Sequence, residues 1–215
     1  MALFRYASKL KKADEHDYLY KWDFTKSLVD EIGGVTATLV ANASRDSNGV
    51  HFLHPMDAMN MSPNPINMNG KTIEMDISNF EFVGDSSKNI QVILNARNND
   101  VGAYVYTGLL LKSSGSGSCW QAHGYTDSGS NDGWGYDYKI VDSDLDGHTV
   151  KIKCENGNTL SLWIDDELKF DSKSSGWTYF NSSKCNYLRI GGSGYSTHQC
   201  YNMTITGIRI YENED

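Results

Sequence analysis

Residues 149–170, TVKIKCENGNTLSLWIDDELKF, contain three short runs in which apolar and polar residues alternate. Two tight-turn signals separate these runs, residues 155–158 and the pair Asp165 and Asp166. Successive side chains of a β-strand point to opposite faces, so the apolar residues of all three runs are expected on one face. That face is predicted to comprise Val150, Ile152, Cys154, Leu160, Leu162 and Ile164, and the opposite face Lys151, Lys153, Ser161 and Trp163. The segment is therefore predicted to form an antiparallel meander buried on one side.

The rest of the chain also favours short β-strands joined by turns. Twenty Gly and 13 Tyr accompany only three Pro, a composition that suits many strands joined by turns. After residue 20, no segment keeps apolar residues at helical spacing for three turns. The regular succession of short strands indicates an all-β sandwich or barrel. Strands are predicted near residues 18–24, 35–41, 49–54, 71–83, 89–97, 102–112, 118–125, 134–140, 149–154, 159–165, 167–171, 186–191 and 202–212.

The length of the chain suits one large β domain. We assign residues 18–215 to that domain and residues 1–17 to a lead segment, which holds at most one short amphipathic helix over residues 8–17. No apolar run reaches the roughly 18 residues of a membrane span, so membrane insertion is not expected. No signal-peptide pattern is visible either, so the sequence predicts a soluble protein without indicating its export route.

Charge argues against one class of partner. The formal net charge is -8, from 27 acidic and 19 basic residues, and the only basic cluster is Lys9, Lys11 and Lys12. Proteins that bind nucleic acid carry a basic surface that matches the phosphate backbone. A nucleic-acid partner is therefore not expected.

A series of ordered motifs resembles a known family. They are residues 20–24 with 27–30 and 33–34, then 49–52, 72–77, 148–152, 160–168, 188–192 and 206–211. In this order they are similar to the laminin-G-like domains of the concanavalin A-like lectin/glucanase superfamily, over about residues 18–212. The resemblance implies two antiparallel sheets in a jelly-roll sandwich, with sugars, calcium or proteins bound on a concave sheet or its rim loops.

One turn departs from the family pattern. The family usually has Asp-Gly in the hairpin turn where this sequence has Asp165 and Asp166. A non-glycine residue at positive φ costs about 1 kcal/mol. We therefore expect either a strained Asp166 or a different turn type.

The best candidate for a sugar site lies between residues 119 and 138. A pyranose ring needs a flat apolar surface together with planar hydrogen-bonding groups. Trp134 lies between two glycines and close to Asn131 and Asp132 in the sequence. The competing interpretation is that such large aromatic residues only fill the core. Alternation places Gln121 and His123 on one strand face. The predicted ligand-binding residues are Gln121, His123, Asn131, Asp132, Trp134, Tyr136 and, in a second loop, Trp177.

A metal site is an open alternative on the loop that contains Asp142, Asp144 and Asp146. Oxygen ligands at alternate positions followed by a glycine match the start of an EF-hand. The twelfth position is Lys153 where an EF-hand needs a bidentate Glu, which excludes that motif. A calcium site of another kind and a solvated turn both stay open, and no other cofactor is predicted.

Catalysis is not expected. A glucanase of this superfamily would need paired carboxylates on one strand face, and Glu74 and Asp76 share a face. The third carboxylate of the glucanase motif is missing, because Ser78 and Asn79 occupy its position. We interpret Glu74 and Asp76 as an exposed pair on the outer side of an amphipathic strand.

The four cysteines leave the redox state open. They are Cys119, Cys154, Cys185 and Cys200, and their number permits two disulfides in any of three connectivities. Cys154 falls on the apolar side of its strand and also fits a plain buried thiol. A disulfide between Cys185 and Cys200 is what the resemblance favours, since laminin-G-like domains often carry one near this end.

The sequence as a whole predicts a non-catalytic, lectin-like glycan-binding module. Its expected context is extracellular, on a cell surface or a virion, where it would serve adhesion. The first alternative is a structural or protein-binding sandwich that mediates assembly, as a homo-oligomer or in a phage tail or capsid decoration. A glycoside hydrolase is the second and least favoured alternative.

Overall fold

The structure of the protein is a computed structural model that describes residues 16–54, 56–61, 68, 70–81, 90–97, 109–113, 120–124, 136–138, 145–155, 159–171, 187–192, 198–199 and 202–214. Within these ranges the chain forms strands and turns and contains no helix. Among the same residues, nothing has the length and helical, apolar character that a membrane-spanning helix requires.

Sixteen strands are present in the described part of the chain. They are β1 (Tyr18–Asp23), β2 (Thr38–Val40), β3 (Ser44–Asp46), β4 (Gly49–Phe52), β5 (Ala58–Met61), β6 (Lys71–Ser78), β7 (Ile90–Arg97), β8 (Leu109–Ser113), β9 (Trp120–Gly124), β10 (Tyr136–Tyr138), β11 (Thr149–Glu155), β12 (Thr159–Ile164), β13 (Glu167–Asp171), β14 (Tyr187–Gly191), β15 (His198–Gln199) and β16 (Met203–Glu212).

The strands form two sheets. The first sheet has the order β13-β12-β11-β6-β16-β4-β3, and β1 also pairs with β16. The second has the order β10-β9-β8-β7-β14-β5-β2, and β15 pairs with β7. The pairings are antiparallel, apart from that of the two-residue strand β15, which runs parallel to β7. The predicted all-β fold with two antiparallel sheets is confirmed.

One hydrophobic core lies between the sheets. Met75, Ile152 and Ile208 of the first sheet belong to the same buried cluster as Met59 and Ile190 of the second. Because alternate residues of a strand point to opposite faces, the polar residues between them lie on the outer faces of the sandwich. Any site on an outer face therefore rests on a packed hydrophobic layer.

The predicted meander of residues 149–170 is confirmed. Strands β11, β12 and β13 are consecutive neighbours, with Val150 opposite Ile164 and Lys151 opposite Trp163. The turn between β12 and β13 has positive φ at both central residues, 48° at Asp165 and 67° at Asp166. Positive φ at both positions is the signature of a type I′ hairpin turn. Asp165 and Asp166 therefore form this turn with backbone strain, because neither is a glycine.

Three strands were missed by the sequence analysis, namely β3, β5 and β15. The segment 54–70, to which the sequence analysis assigned no strand, contains β5, which pairs with both β14 and β2. Its sequence AMNM has low intrinsic strand propensity, and the strand is instead stabilised by burial of Met59 and Met61 in the core.

The buried-thiol interpretation of Cys154 is confirmed, since its side chain is buried and forms no disulfide. With Cys154 outside any disulfide, at most one intramolecular disulfide can form among the four cysteines. Cys119, Cys185 and Cys200 lie outside the described residues.

Candidate functional site

The outer face of the first sheet carries a row of charged side chains. Register places Lys151 of β11 and Arg209 of β16 on either side of Glu74 of β6. On β6 the core-facing residues Ile73 and Met75 flank Glu74, which therefore points outward. Cations on two neighbouring strands thus bracket one carboxylate.

Arg209 is held by two carboxylates. Its Nε donates to Glu74 Oε2 at 2.9 Å, and its Nη1 and Nη2 donate to the two carboxylate oxygens of Asp76 at 2.6 and 2.8 Å. The paired bonds to Asp76 are bidentate, the geometry that suits a planar guanidinium best. Gly207 lies opposite Asp76, where a Cβ atom would come within 3.0 Å of Asp76 Oδ2. The missing side chain therefore leaves room for the ion pair.

Glu74 is the centre of this cluster and is only 7% exposed. The Tyr211 hydroxyl donates to Glu74 Oε1 at 2.6 Å, and Lys151 Nζ lies 3.1 Å from the same oxygen. Burial by itself would raise the pKa of Glu74, but the hydrogen bonds from Tyr211, Arg209 and Lys151 outweigh it and lower that pKa. The expectation that Glu74 is exposed is wrong, because side chains from two neighbouring strands cover it.

This environment does not suit a catalytic acid. A general acid in a glycosidase must keep its proton near neutral pH, which requires a raised pKa. The pKa of Glu74 is lowered instead, and both carboxylates already bind Arg209. Burial and the bond to Glu74 also raise the pKa of Tyr211, so its hydroxyl stays protonated as a donor. The cluster is therefore a rigid, internally neutralised support.

A shallow groove of about 210 Å³ lies beside the cluster on the same face. Trp163 is half-buried in it, and its indole Nε1 donates to Ser161 Oγ at 2.9 Å, which helps to orient the ring. Tyr211 is stacked with His16 at 4.1 Å between ring centroids. The groove is lined by His16, Thr72, Lys151, Lys153, Trp163, Asp166, Tyr211, Asn213 and Glu214.

The polar groups of the groove are mostly fixed by neighbours. Lys151 bridges Glu74 and Asp166, with its Nζ 2.7 Å from Asp166 Oδ1. Asn213 accepts a hydrogen bond from the Thr72 hydroxyl at 2.7 Å and donates to the Cys154 carbonyl at 2.8 Å.

Lys153 differs from these groups. Within the part of the chain that the structure describes, it has no ion-pair partner, although it lines the groove and is partly buried. The groove thus combines an aromatic wall and an anchored amide with one cation that no described carboxylate neutralises.

Most of the site residues predicted from sequence lie outside the described residues. This holds for Asn131, Asp132, Trp134 and Trp177 and for the two proposed metal ligands Asp142 and Asp144. These assignments stay predictions.

The remaining predicted ligand-binding residues are placed by the backbone alone. Gln121 and His123 lie in β9, and Tyr136 lies in β10. Tyr136 pairs with Ala122, so it is out of phase with Gln121 and His123 in the alternation of the sheet.

The last proposed metal ligand, Asp146, lies in a described turn. Its Oδ1 accepts a hydrogen bond from the backbone N–H of Phe80 at 3.1 Å. Among the described residues, no group of three or more His, Cys, Asp or Glu side chains is arranged to hold a metal ion. The calcium alternative therefore depends on residues beyond that part of the chain.

The groove was not identified from sequence, although part of its signal was present. The polar face of the meander was predicted to carry Lys151, Lys153 and Trp163, which are within reach of one another on neighbouring strands. Tyr211 and Asn213 are about 60 residues further along the chain and reach the same face only because β16 pairs with β6.

Comparisons with known proteins support the fold. No protein-family model matches the sequence, and no curated protein matches it either. Among solved structures, the botulinum neurotoxin serotype D ligand-binding domain in complex with N-acetylneuraminic acid superposes with a TM-score of 0.65 at 15% identity, over 92% of this chain and 48% of that chain.

Two further solved structures are similar. The binding domain of botulinum neurotoxin DC in complex with rat synaptotagmin II gives a TM-score of 0.59 at 11% identity, over 94% of this chain and 49% of that one. A botulinum neurotoxin type C structure gives 0.62 at 9% identity, over 93% and 48% of the two chains. This chain thus spans about half the length of those proteins, and at such identities the likeness establishes a shared β-sandwich fold and nothing finer.

Proposed function

We propose that the protein is a non-catalytic, carbohydrate-binding module of lectin-like type, and that the groove beside Trp163 takes a sugar. The observation that carries this proposal is a half-buried indole, oriented by Ser161, next to fixed hydrogen-bonding groups in an open groove. An indole face packs against the C–H face of a pyranose, while amide, carboxylate and ammonium groups bind its hydroxyls.

The structural neighbours support this class of function at a distance. One of them is a complex with N-acetylneuraminic acid, and another concerns cell entry that depends on interaction with two ganglioside molecules. Glycan binding by this chain is part of the proposal. The chain spans only about half of each neighbour, and the fold alone does not determine a ligand.

The finer assignments extend the same proposal. We place the chain in the laminin-G-like group of concanavalin A-like domains, on an extracellular, cell or virion surface, where it serves adhesion. The loop residues around Trp134 then form a second glycan contact. Protein binding is the rival function, favoured by the neurotoxin DC binding domain, whose structure holds rat synaptotagmin II.

The test compares Trp163→Ala with Leu168→Ala on a glycan array and by calorimetry. Leu168 pairs with Trp163 on the next strand and is 46% exposed, but it does not line the groove, so it is a matched control. We expect Trp163→Ala to weaken sugar binding by roughly 10-fold or more, as for loss of a stacked aromatic ring, and Leu168→Ala to bind like the wild type.

Two other outcomes are informative. If Trp163→Ala binds sugar like the wild type and Trp134→Ala loses sugar binding, the proposed function stands. The sugar site then lies in the predicted loop around Trp134. No sugar binding by the wild-type protein, with a protein partner captured through the groove face, would establish the rival function.

A further inference from the structure

The outer face of the second sheet carries a polar row of its own. Arg189 of β14 pairs with Asn60 of β5, and Asn60 pairs in turn with Thr38 of β2. Leu188 and Ile190, which flank Arg189 along its strand, lie in the core. Arg189 therefore points away from the core, on the side of the sandwich opposite to the groove.

Two nitrogens of the Arg189 guanidinium are anchored. Its Nε donates to the carbonyl of Gly192, and its Nη1 donates to Asn60 Oδ1 at 3.1 Å. The chain can turn back toward Arg189 because Gly191 has a φ of 85°, at a place where a Cβ atom would lie 2.4 Å from the Asp57 carbonyl oxygen. The glycine thus sets the position of the acceptor that holds the guanidinium.

Among the described residues, no carboxylate compensates this charge. Arg189 is only 8% exposed, yet within the described part of the chain it forms no ion pair. A guanidinium stays charged at any ordinary pH, and an unpaired ion that is largely withdrawn from water is costly. A bound anion would offset that cost.

One nitrogen of the guanidinium has no described partner. An arginine has five N–H donors, and the two described bonds of Arg189 use one on Nε and one on Nη1. Among the described residues, no nitrogen of Arg189 is fully buried without a partner, so Nη2 is not completely enclosed. The N–H groups of Nη2 can therefore donate to a carboxylate oxygen, and such charge-assisted bonds are among the stronger hydrogen bonds.

We propose that Arg189 is the anchor of a second binding site, on the outer face of the second sheet, for a carboxylate-bearing sugar. The net charge of -8 disfavours multiply charged anions and leaves a singly charged carboxylate as the better match. The choice of a sugar rests on the proposed function, whereas the choice of a carboxylate rests on Arg189 and on the net charge. The groove beside Trp163 is a separate site on the opposite face.

The test measures binding of N-acetylneuraminic acid and of its methyl ester by the full chain, using the wild type, Arg189→Gln and Arg189→Lys. The ester keeps the sugar and removes the charge. We expect the wild type to bind the acid and not the ester, and Arg189→Gln to weaken binding of the acid roughly 30-fold. Arg189→Lys retains the charge but not the planar guanidinium with its two anchoring bonds, so an intermediate affinity is expected.

A measurement on the wild-type protein makes the test independent of how the variants fold. The NMR signal of the Arg189 Nε–H should shift on adding the acid and stay in place on adding the ester. An unshifted signal at saturating acid would overturn the proposal. Inorganic phosphate binding at Arg189 as tightly as the acid would overturn the assignment to carboxylates.

The two sites can be told apart with Trp163→Ala. If Arg189 binds the acid, Trp163→Ala keeps that binding and loses only binding at the groove. If the acid is lost in Trp163→Ala and retained in Arg189→Gln, the second site is refuted while the proposed sugar-binding function stands.

Discussion

The two outer faces of the sandwich each place an arginine on an inner strand, and the two arginines have opposite surroundings. Arg209 on the first sheet contacts the carboxylates of Glu74 and Asp76, whereas the described hydrogen bonds of Arg189 on the second are to a carbonyl and an amide oxygen. Burial opposes the charge of Arg209, but its bonds to Asp76 and Glu74 prevail and raise its pKa.

The difference distinguishes a structural charge from one that is available to a ligand. The charges around Arg209 neutralise one another through ion pairs. The outer face of the first sheet therefore provides a rigid, neutral surface beside the aromatic groove. The charge of Arg189 is fixed in place and has no compensating carboxylate among the described residues, which is the arrangement that the proposed anionic ligand would complete.

The largest expected effect comes from removing the compensated arginine. Arg209→Gln leaves Glu74 and Asp76 close together without their shared cation, so we expect a loss of about 3 kcal/mol in the free energy of unfolding, measured in urea. Lys21→Gln is the control, because Lys21 pairs with Arg209 on β1 but forms no ion pair among the described residues.

Substitution of Arg189 tests the contrast between the two arginines. Arg189→Gln removes a charge that has no carboxylate partner in the described part of the chain, so its loss of stability should be clearly smaller than that of Arg209→Gln. Equal losses in the two variants would mean that Arg189 is as structural as Arg209.

The next effect is on the pH dependence of stability. The folded-state pKa of Glu74 is below its ordinary value of 4.5, because the hydrogen bonds to its ionised form outweigh burial. The unfolded chain therefore binds the proton first, and the contribution of Glu74 is present above about pH 4.5 and lost as pH falls through the folded-state pKa. Unfolding measured from pH 7 to pH 3 should show a smaller acid loss in Glu74→Gln than in the wild type.

The control for this pH dependence of stability is Arg189→Gln, on the second sheet. Arg189 has no linked carboxylate among the described residues, so Arg189→Gln should keep the acid limb of the wild type. The depressed pKa values of Asp23, Asp46 and Asp165 leave some acid dependence in every variant. An identical acid limb in Glu74→Gln and the wild type would contradict the role assigned to Glu74.

The smallest effect is expected at the hairpin turn beside the groove. Asp166→Gly removes the positive-φ strain of an aspartate, about 1 kcal/mol, and loses an exposed ion pair to Lys151 that is worth roughly 0.5 kcal/mol. Stability in urea should therefore rise by about 0.5 kcal/mol. The change also leaves Lys151 less neutralised, so acidic ligands should bind more tightly in the groove.

Asp165→Gly is the matched control in the same turn. Asp165 accepts hydrogen bonds from the backbone of Thr149 at 2.9 Å and from the His148 ring at 2.5 Å. Because this substitution removes both bonds, it should destabilise the protein. A gain in stability from Asp165→Gly, or a loss from Asp166→Gly, would reverse the assignment of roles in the turn.

The parts of the fold that sequence predicted correctly are those in which a single strand carries its own signal. Alternation over residues 149–170 gave the meander and its two faces, since each apolar position is decided within a few residues. Strand β5 was missed because its residues have weak strand propensity and are held by pairing with β14, about 130 residues later. Likewise, Glu74 was expected to be exposed because its covering partners, Arg209 and Tyr211, are far away in sequence.

The sequence by itself determined the all-β class, the two-faced meander and the core-facing position of Cys154, because each follows from the side-chain period of a strand. Only the tertiary structure decided which charges are neutralised, because that depends on which strands become neighbours. Pairing of β16 with β6 brings Arg209 to two carboxylates, and pairing of β14 with β5 brings Arg189 to an amide. Coulomb and desolvation energies depend on distances across the sheet, and these distances are not encoded in any local stretch of the chain.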